Sequence, residues 1–381
     1  MSFDMNLVQR GARLRRTPYF QATQRYGAQG YTVYNHMLFP ICFGDLEEEY
    51  WHLLHHVTLW DVSVERQVEI TGPDAFTFTN MLTPRDLSRC AVGQGKYVVI
   101  TADDAGIIND PVLLRLGENH FWLALADSDV LLWARGVALN AGLRVTISEP
   151  DVSPLQVQGP KAREVIGALF GDPVLQLRYY HFLETKLDGM PLVVTRTGWS
   201  GEVGYEIYLR DGSRGDELWE RIMDAGKPHN IRPTGPSDIR RIEAGILNWG
   251  ADMRLENNVY EVGLDYLVDQ GKSANYIGRD ALARVRAAGV RQKLVGVEID
   301  GARIEMNAEP WPALKNGAVM GHITSAAWSP RLKKNIGYAM VPVTEAAVGT
   351  ALRVDIPSVG ERRATVVARP FVDPGKTIPK S

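Results

Sequence analysis

Between residues 61 and 154 the signals for strands and helices follow one another in a single order, and this order constrains the fold more than any other feature of the sequence. "RQVEITG" alternates as a strand, and "DAFTFTNMLT" has a helical pattern. "KYVVITADDAGIINDPVLLRL" predicts a hairpin with strands from Tyr97 to Thr101 and from Ile107 to Leu114. "HFWLALA" predicts a further strand, and "SDVLLWARGVALNAG" a helix with Ser128 as its N-cap. The resulting β-α-β-β-α-β order is that of a ferredoxin-like split unit.

The flanking segments continue this mixture of helices and strands. "LEEEYWHLLHHV" has helical spacing behind Asp45, a residue type that caps helix N-termini. "PLQVQGPKAREVIGALFG" predicts strand, turn and helix, and "MPLVVTRTGWSGEVGYEIYL" predicts two paired strands. "SDIRRIEAGILNWG" predicts a helix capped by Ser237. Its apolar face would consist of Ile239, Ile242 and Ile246. Short strands punctuated by Gly and Pro from about residue 290 predict a small all-β domain.

Composition bounds the class of protein. A chain of 381 residues exceeds what one core usually organises, so we expect two or three domains. A net charge of -3 argues against a broad nucleic-acid-binding surface. Cys42 and Cys90 lie far apart without a CxxC pair, which fits a reducing compartment and argues against a disulfide scaffold. Because no apolar run approaches the roughly 18 residues of a membrane span and no signal-peptide pattern opens the chain, we predict a cytosolic protein.

Two features allow either a functional or a structural interpretation. His52, His55 and His56 share one helix face, where they could bind a metal or form a solvated, hydrogen-bonded surface; without a matching carboxylate or cysteine pattern we expect no metal. Asp110 lies in a β-rich run before Pro111, where a charge is costly unless it is exposed, paired or used. It is either a turn or edge acid, or a carboxylate at the mouth of a pocket that orients a ligand N–H or accepts its proton.

The stretch "TGWSGEVGYEIYL" combines aromatic rings and one acid with closely spaced glycines. A structural hairpin with aromatic cross-strand pairs would explain it. Alternatively, Trp199 and Tyr208 offer ring faces to a ligand while Glu206 accepts hydrogen bonds from it. Side chains alternate along a strand, so Glu206 and Tyr208 share one face and the two can serve the same cavity. Walker A, G-x-G-x-x-G and H-E-x-x-H motifs do not occur in the sequence, so phosphate-loop, dinucleotide and zincin functions lack support.

These segments belong to a longer resemblance. From about residue 15 to 370, blocks of the chain are similar, in order and spacing, to the aminomethyltransferase family, which comprises the tetrahydrofolate-binding T-protein of glycine cleavage and its relatives. The blocks are "LWDVSVERQVEITGPDA", "LTPRDLS", "GIINDP", "QGPKA", "TGWSGEVGYEIY", "RRIEAG", "YIGRDAL" and "GHITSAAWSPRLKKNIGYAMV". Within the family, "YNHMLFP", "NDPVLL" and "ADSDV" resemble the branch that demethylates dimethylsulfoniopropionate. A glycine-cleavage T-protein usually carries "AGWEMP" near residues 35 to 40 and Tyr in place of Trp199.

The resemblance implies an α+β fold, a three-domain clover-leaf of the aminomethyltransferase type with the ferredoxin-like split unit and a C-terminal small β-barrel or jelly-roll domain. The implied domains are a discontinuous folate-binding domain at 1–60 plus 155–245, a ferredoxin-like α/β domain at 61–154, and a C-terminal domain at 246–381, mostly β from about 290. It further implies small-molecule substrates and a homodimer, with no nucleic-acid partner, no membrane and no metal. The implied reaction moves a methyl group from the sulfonium to N5 of tetrahydrofolate, giving methylmercaptopropionate and 5-methyltetrahydrofolate.

Functional residues of the family can be matched one by one. The implied folate-binding residues are Glu206, Tyr97 and Arg241, and the implied catalytic acid is Asp110. The substrate-side rings resemble Trp199, Tyr208 and Tyr34. One departure concerns the T-protein motif "ARD", which here is Pro236-Ser237-Asp238 and lacks the arginine. This departure weakens the likeness to glycine-cleavage enzymes.

The chemistry explains why such residues would be needed. Glu206 could bridge adjacent pterin N–H groups with two hydrogen bonds of about 1.5 to 3 kcal/mol each. A sulfonium cannot donate a hydrogen bond, so ring faces would bind it, at roughly 0.5 to 2 kcal/mol per ring. The thioether leaves without an acid, while Asp110 would orient N5 or accept its proton. A substrate carboxylate would need a cation, for which Arg15, Arg16 and Lys96 stay open.

Two other functions also stay open. The first is a related folate-dependent transferase acting on a quaternary ammonium, a methylated glycine or the lipoyl-bound intermediate of glycine cleavage, because aromatic rings bind both kinds of soft cation. The second is a folate-binding maintenance protein without transferase activity. Its branch carries "KGCYxGQE" where this chain has "KSANYIGRDAL", so the missing cysteine disfavours it.

Overall fold

The computed structural model describes residues 14–357 and 359–381. The helices of this part are α1 (Phe20–Arg25), α2 (Leu46–His55), α3 (Ala75–Met81), α4 (Val130–Ala141), α5 (Ala162–Phe170), α6 (Asp172–Leu175), α7 (Gly215–Gly226), α8 (Asp238–Glu243), α9 (Val259–Val262) and α10 (Arg279–Ala288). The strands up to residue 124 are β1 (Gly30–Tyr34), β2 (Met37–Cys42), β3 (Val57–Asp61), β4 (Gln67–Thr71), β5 (Gln94–Tyr97), β6 (Ile100–Thr101), β7 (Ile107–Asn109), β8 (Val112–Gly117) and β9 (His120–Ala124). The later strands are β10 (Thr146–Ser148), β11 (Ser153–Gln158), β12 (Phe182–Leu187), β13 (Met190–Thr195), β14 (Gly204–Leu209), β15 (Ile231–Pro233), β16 (Gln292–Ile299), β17 (Trp311–Lys315), β18 (Ala318–Ser329), β19 (Lys334–Pro342), β20 (Ala351–Ile356) and β21 (Gly360–Val367). Within the described residues, no helix is long and apolar enough to cross a membrane.

The predicted ferredoxin-like unit is confirmed. Its strands lie in the order β10-β4-β9-β8, with β5 added at the edge, and every neighbouring pair is antiparallel. Helices α3 and α4 pack against this sheet and bury an apolar core. That core includes Val68, Ile70, Phe78, Phe121 and Leu123. The period-2 and period-3.6 patterns of the sequence therefore place apolar side chains on the face that each element buries.

The predicted hairpin is present but divided into two paired segments. Strand β6 pairs with β7, and β5 pairs with β8. Between the two ladders the backbone N–H of Val98 donates to the carbonyl oxygen of Pro111, 3.0 Å away. Pro111 has no N–H with which to extend the ladder. The interruption leaves Asp110 between β7 and β8, outside both strands.

The prediction that Ser128 caps α4 is wrong. The N-cap is Asp129, which makes no side-chain capping hydrogen bond. The Ser128 hydroxyl instead donates to the carbonyl oxygen of Ile108, 2.8 Å away, and accepts from Asn109 Nδ2 at 2.9 Å. These bonds join the start of the helix to the hairpin, about twenty residues earlier in the chain. The local capping pattern therefore could not predict them.

A six-stranded sheet lies beside the ferredoxin-like unit, in the order β12-β13-β14-β11-β3-β15. Its only parallel pair among the described strands is β15 with β3. Helices α5 and α7 contribute to the core on one side of this sheet. All six residues of β14 are buried, which places the "GYEIYL" segment at the centre of the sheet.

The predicted C-terminal all-β unit is a closed barrel with strand order β16-β19-β18-β17-β20-β21, completed by pairing of β16 with β21. Helix α8 packs against its strands β18 and β19. Ser237 caps α8 as predicted, because its hydroxyl accepts from the backbone N–H of Arg240 at 3.3 Å. The helix is shorter than expected. It ends at Glu243 because Gly245 adopts a left-handed φ of 71°, and Ile246 therefore lies outside the predicted helical face.

Candidate active site

A cavity of about 550 Å³ lies where the ferredoxin-like unit, the six-stranded sheet and α8 face one another. Its aromatic lining consists of Tyr34, Phe39, Trp60, Tyr97, Tyr179, Tyr180, Trp199, Trp249 and Tyr266. Its acidic lining consists of Glu49, Glu65, Asp110, Glu206, Asp238 and Asp373. Among the described residues, the basic lining consists of Arg240 and Lys376. The Arg240 guanidinium is already committed to Glu202, 2.7 Å away. Aromatic and acidic side chains therefore outnumber basic side chains in the cavity lining.

Glu206 lies at the centre of the six-stranded sheet and is surrounded by hydrogen-bond donors. Gln156 and Thr195 are its cross-strand partners on β11 and β13. Gln156 Nε2 donates to Oε1 at 2.7 Å, while Oε2 accepts from the hydroxyls of Thr197 (2.6 Å), Tyr208 (2.8 Å) and Thr195 (3.3 Å). Burial nevertheless raises the pKa of the Glu206 carboxyl above its usual range, against these hydrogen bonds. Only Oε1 retains room for a ligand N–H, so a two-bond bridge to a pterin requires one hydroxyl to turn away from Oε2.

Tyr208 shares the face of Glu206, as the alternation along β14 predicts, but it does not line the cavity. Its ring is fully buried and lies 6.2 Å from that of Trp122, centroid to centroid. Its hydroxyl donates to Glu206 Oε2. From this position Tyr208 holds the carboxylate rather than presenting a ring face to the cavity.

Trp199 does line the cavity, on the loop that joins β13 and β14. Its ring is half-buried, and the Arg241 guanidinium lies 5.7 Å from the ring centroid. Close packing against Gln158 explains why glycine occupies two positions in and beside this loop. A Cβ added at Gly198 or at Gly204 would come within 2.2 Å of Gln158 Oε1, so the loop closes over this buried glutamine only without side chains there.

Asp110 and Tyr97 form a pair on the cavity wall. The Tyr97 hydroxyl donates to Asp110 Oδ2 at 2.8 Å. Burial raises the pKa of Asp110 to about 7, against the hydrogen bond from Tyr97, which lowers it. A carboxyl group with this pKa exchanges protons near neutral pH, which suits general acid-base work. Of the two interpretations of Asp110, the structure places the residue at the pocket.

Arg241 lies outside the cavity lining and borders an adjacent polar cleft. It is buried, and its guanidinium contacts Asp252 at 2.5 Å, Asp238 at 2.8 Å and the Ser325 hydroxyl at 2.9 Å. These contacts join α8 to the barrel. Tyr34, in contrast, lines the cavity, and burial together with nearby Glu65 raises its pKa well above the usual range.

The three cations proposed for a substrate carboxylate lie elsewhere. Arg15 pairs with Glu149 at 2.7 Å, the Arg16 guanidinium lies 4.9 Å from the centroid of the Phe20 ring, and neither of them nor Lys96 lines the cavity. Lys376 does line it, from the C-terminal segment. Sequence reasoning missed it because no local pattern places residue 376 beside cavity residues such as Glu206 and Trp249, which lie far earlier in the chain.

The histidine cluster shows no metal-binding arrangement. His52 Nε2 lies 2.8 Å from the carbonyl oxygen of Asn230, and His55 stacks on Trp51 with ring centroids 5.4 Å apart. Across residues 14–357 and 359–381, no group of three or more His, Cys, Asp or Glu side chains is placed to hold a metal ion.

Comparisons with known proteins cover nearly the whole chain. The family model described as the GCVT N-terminal domain matches residues 6–272, and the glycine cleavage T-protein C-terminal barrel domain matches residues 292–373. A dimethylsulfoniopropionate demethylase from Ruegeria pomeroyi is 40% identical over 93% of this chain and 96% of its own length. An aminomethyltransferase from Symbiobacterium thermophilum is 31% identical over 94% of this chain and 97% of its own. The crystal structure of the glycine cleavage system aminomethyltransferase T from Bartonella henselae superimposes with a TM-score of 0.86 over 94% of this chain and 98% of that one, at 23% identity, and so shares the fold.

Proposed function

The chain belongs to the glycine cleavage T-protein family of tetrahydrofolate-dependent transferases, and from this premise we propose that it moves a methyl group from dimethylsulfoniopropionate to N5 of tetrahydrofolate. The observation that carries the proposal is the cavity lining, in which aromatic rings and carboxylates outnumber two basic side chains, one of them already paired. Such a lining suits a cationic donor that cannot donate hydrogen bonds. The 40% identical relative with the demethylase name supports the same choice.

The described residues fit a reduced folate beside the donor. The cavity of about 550 Å³ lies within the range of sites that bind molecules of this size. Oε1 of Glu206 has one protein donor and can accept a further N–H from the pterin. The aromatic walls, including Tyr179 and Tyr180, offer surface on which a flat ring system can pack.

Tetrahydrofolate supplies the nucleophile N5, so that an N–C bond forms while the C–S bond breaks and sulfur keeps the electron pair. The leaving thioether is neutral and requires no acid, so the main task of the protein is to hold donor and acceptor in line. As the N–C bond forms, the N5–H proton becomes acidic and must leave. In this proposal Asp110 accepts it, while the hydroxyl of Tyr97 donates to Oδ2 and holds the carboxylate. The aromatic side chains that line the cavity, including Trp199 and Trp249, exclude water from the reacting atoms.

Replacing Trp199 by Ala tests the cation-binding role. We expect kcat/KM for dimethylsulfoniopropionate to fall by about tenfold, because one desolvated ring contributes roughly 0.5 to 2 kcal/mol to cation binding. Wild type and variant are incubated anaerobically with tetrahydrofolate, and 5-methyltetrahydrofolate and methylmercaptopropionate are followed by chromatography. Trp51→Ala is the matched control, because Trp51 stacks on His55 away from the cavity. An unchanged kcat/KM in Trp199→Ala would contradict the assignment.

Glycine betaine, dimethylglycine and the lipoyl-bound aminomethyl intermediate are assayed in parallel. The aminomethyltransferase function is a specific second candidate because relatives with that name align over almost the full chain at 31% identity and below. Against it stands Pro236-Ser237-Asp238, which lines the cavity where the T-protein motif carries an arginine. Turnover of an amine but not of the sulfonium would retain the folate site and overturn the donor assignment. Folate binding without turnover of any donor would favour a maintenance protein.

Lys376 is our candidate for the donor carboxylate. Within the described residues its ammonium group has no ion pair or hydrogen bond, and the side chain is exposed at the edge of the cavity. We expect Lys376→Gln to raise KM for dimethylsulfoniopropionate about two- to fivefold, as a partly exposed ion pair allows. KM for trimethylsulfonium, which lacks a carboxylate, should not change. Lys380→Gln serves as the control, and an equal rise for both donors would exclude a carboxylate-specific role.

A further inference from the structure

We propose that the Glu65 carboxylate is the counter-ion of the donor's cationic centre and that it makes the site select ligands with this cationic centre over ligands of the same shape that have an uncharged carbon there. This inference rests on the proposed function, because it concerns the donor side of the same cavity. No match to a family motif singled out this residue. It follows from the unusual condition of one side chain.

Glu65 lies in the short connection between β3 and β4, and the backbone there is held firmly. Its N–H donates to the carbonyl oxygen of Val62 at 2.9 Å, and Asn35 Nδ2 donates to the carbonyl oxygen of Val64 at 2.9 Å. Gln67 Nε2 donates to the carbonyl oxygen of Glu65 itself at 2.5 Å. The side chain lines the cavity and is partly accessible only because it faces that space. A fixed backbone therefore presents this carboxyl group to whatever occupies the cavity.

The Glu65 carboxyl lacks the donors that the other cavity glutamates have. Across residues 14–357 and 359–381, no hydrogen bond or ion pair reaches its side-chain oxygens. Glu206 accepts from four side chains. Glu49 accepts from the backbone N–H groups of Phe43, Gly44 and Gly235 at 2.6 to 3.0 Å. A carboxyl group that faces a cavity largely closed to water and has no donor from the protein is unfavourable, which marks Glu65 as one whose partner is not part of the folded chain.

Its surroundings explain which kind of partner is missing. Burial raises the pKa of Glu65 well above its usual range, and the neighbouring charges of Glu206 and Asp110 raise it further. The other titratable groups that interact with it are Tyr34 and Tyr208, both of whose pKa values are raised by burial and by nearby carboxylates. A neutral ligand would leave this repulsion in place. A fixed cation would relieve it, and a sulfonium or quaternary ammonium needs no hydrogen-bond acceptor geometry to do so.

Cation binding should therefore be linked to ionisation of Glu65. Burial and the neighbouring carboxylates disfavour the ionised form of Glu65 and so raise its pKa, whereas a bound cation would favour the ionised form and promote release of the proton. Affinity for a cationic donor should then rise with pH until Glu65 is ionised in the free protein. Replacement by Gln removes this proton release, whereas a purely structural role for Glu65 would leave it unchanged.

The test is a set of binding measurements that need no turnover. Isothermal titration in buffers of different ionisation enthalpy gives Kd and the number of protons released, for dimethylsulfoniopropionate and for 4-methylpentanoate, the isostere that keeps the carboxylate and has CH in place of the sulfonium. In the wild type we expect preference for the cation with proton release. In Glu65→Gln we expect the cation to bind about tenfold more weakly, the isostere to bind unchanged, and proton release to fall. Glu69→Gln is the matched control, since its carboxylate bonds His120 and Trp122 and does not line the cavity.

The outcomes separate this proposal from the donor assignment. If the wild type binds no sulfonium but prefers glycine betaine over 3,3-dimethylbutyrate, and Glu65→Gln loses that preference, the counter-ion role stands and the donor assignment fails. If Glu65→Gln keeps the cation preference and the proton release, or weakens both ligands equally, the counter-ion role is overturned. Thermal unfolding establishes that the variant is folded, which we expect because Gln keeps the shape of the side chain and, within the described residues, the Glu65 carboxyl makes no hydrogen bond or ion pair that the change would remove. Glu65→Asp, which restores a charge, should recover part of the preference.

Discussion

Asp110→Asn is expected to lower kcat by about 10² to 10⁴-fold, the range that general acid-base groups contribute. Asn keeps the size of the side chain and can still accept from the Tyr97 hydroxyl, but it cannot accept a proton from N5. Single-turnover formation of 5-methyltetrahydrofolate measures the chemical step directly. The control is Asp103→Asn, an exposed acid in the turn of the same hairpin.

Ionisation of Asp110 determines how activity changes with pH. Burial raises the pKa of Asp110 to about 7, so the carboxylate that accepts a proton forms only as pH rises through that value. Activity should therefore rise between about pH 6 and 8, and Asp110→Asn should lose this rise. The pKa of Asp110 is higher in the folded protein than in the unfolded chain. As pH rises from the usual Asp pKa to about 7, ionisation therefore favours the unfolded chain, and the folded state is destabilised at higher pH. We therefore expect Asp110→Asn to raise Tm at pH 8. Full activity in the variant would leave Asp110 an orienting role at most.

Features encoded by neighbouring residues were predictable from the sequence. Asp45 caps α2 by accepting from the N–H groups of Glu47 and Glu48, and the strand order of the ferredoxin-like unit follows from local periodicity and turn residues. The resemblance to the family added the expectation of a C-terminal barrel and of folate-dependent methyl transfer. What local patterns could not specify is which partner a side chain meets across the fold. Ser128 is of a residue type that commonly caps helices, yet its hydroxyl donates to the carbonyl oxygen of Ile108 in the hairpin instead.

The candidate site shows the same division. The spacing of Glu206 and Tyr208 predicts one shared face, but only the packing of Trp122 against the tyrosine ring shows that Tyr208 lies behind the acid rather than in the cavity. Glu65 lies in the block "LWDVSVERQVEITGPDA", but nothing local distinguishes it, because a charged residue between two strands usually lies in a solvated turn. Its significance depends on missing donors, a property of three-dimensional surroundings that no spacing encodes.

For Arg241 the family resemblance implies a folate-binding role, whereas its contacts in the structure favour a structural role. Its guanidinium is buried against Asp252, whose other oxygen accepts from the hydroxyls of Thr324 (2.7 Å) and Ser325 (2.6 Å) on β18. Asp252 is itself fully buried and also accepts from the backbone N–H of Asn248. Removing the arginine would leave this carboxylate buried without its counter-charge.

We therefore expect Arg241→Met to lower the free energy of unfolding by about 3 to 5 kcal/mol, the cost of breaking one side of a buried ion pair. Urea denaturation measures it, with the slope of the transition as a check on two-state behaviour. The double variant Arg241→Met/Asp252→Asn should recover much of the loss, because it removes the stranded charge as well, and the cycle isolates the coupling between the two residues. Folate affinity, measured by fluorescence on folded protein below the transition, should change far less than stability. A variant of normal stability with strongly weakened folate binding would instead establish Arg241 as the ligand-binding arginine that the family resemblance implies.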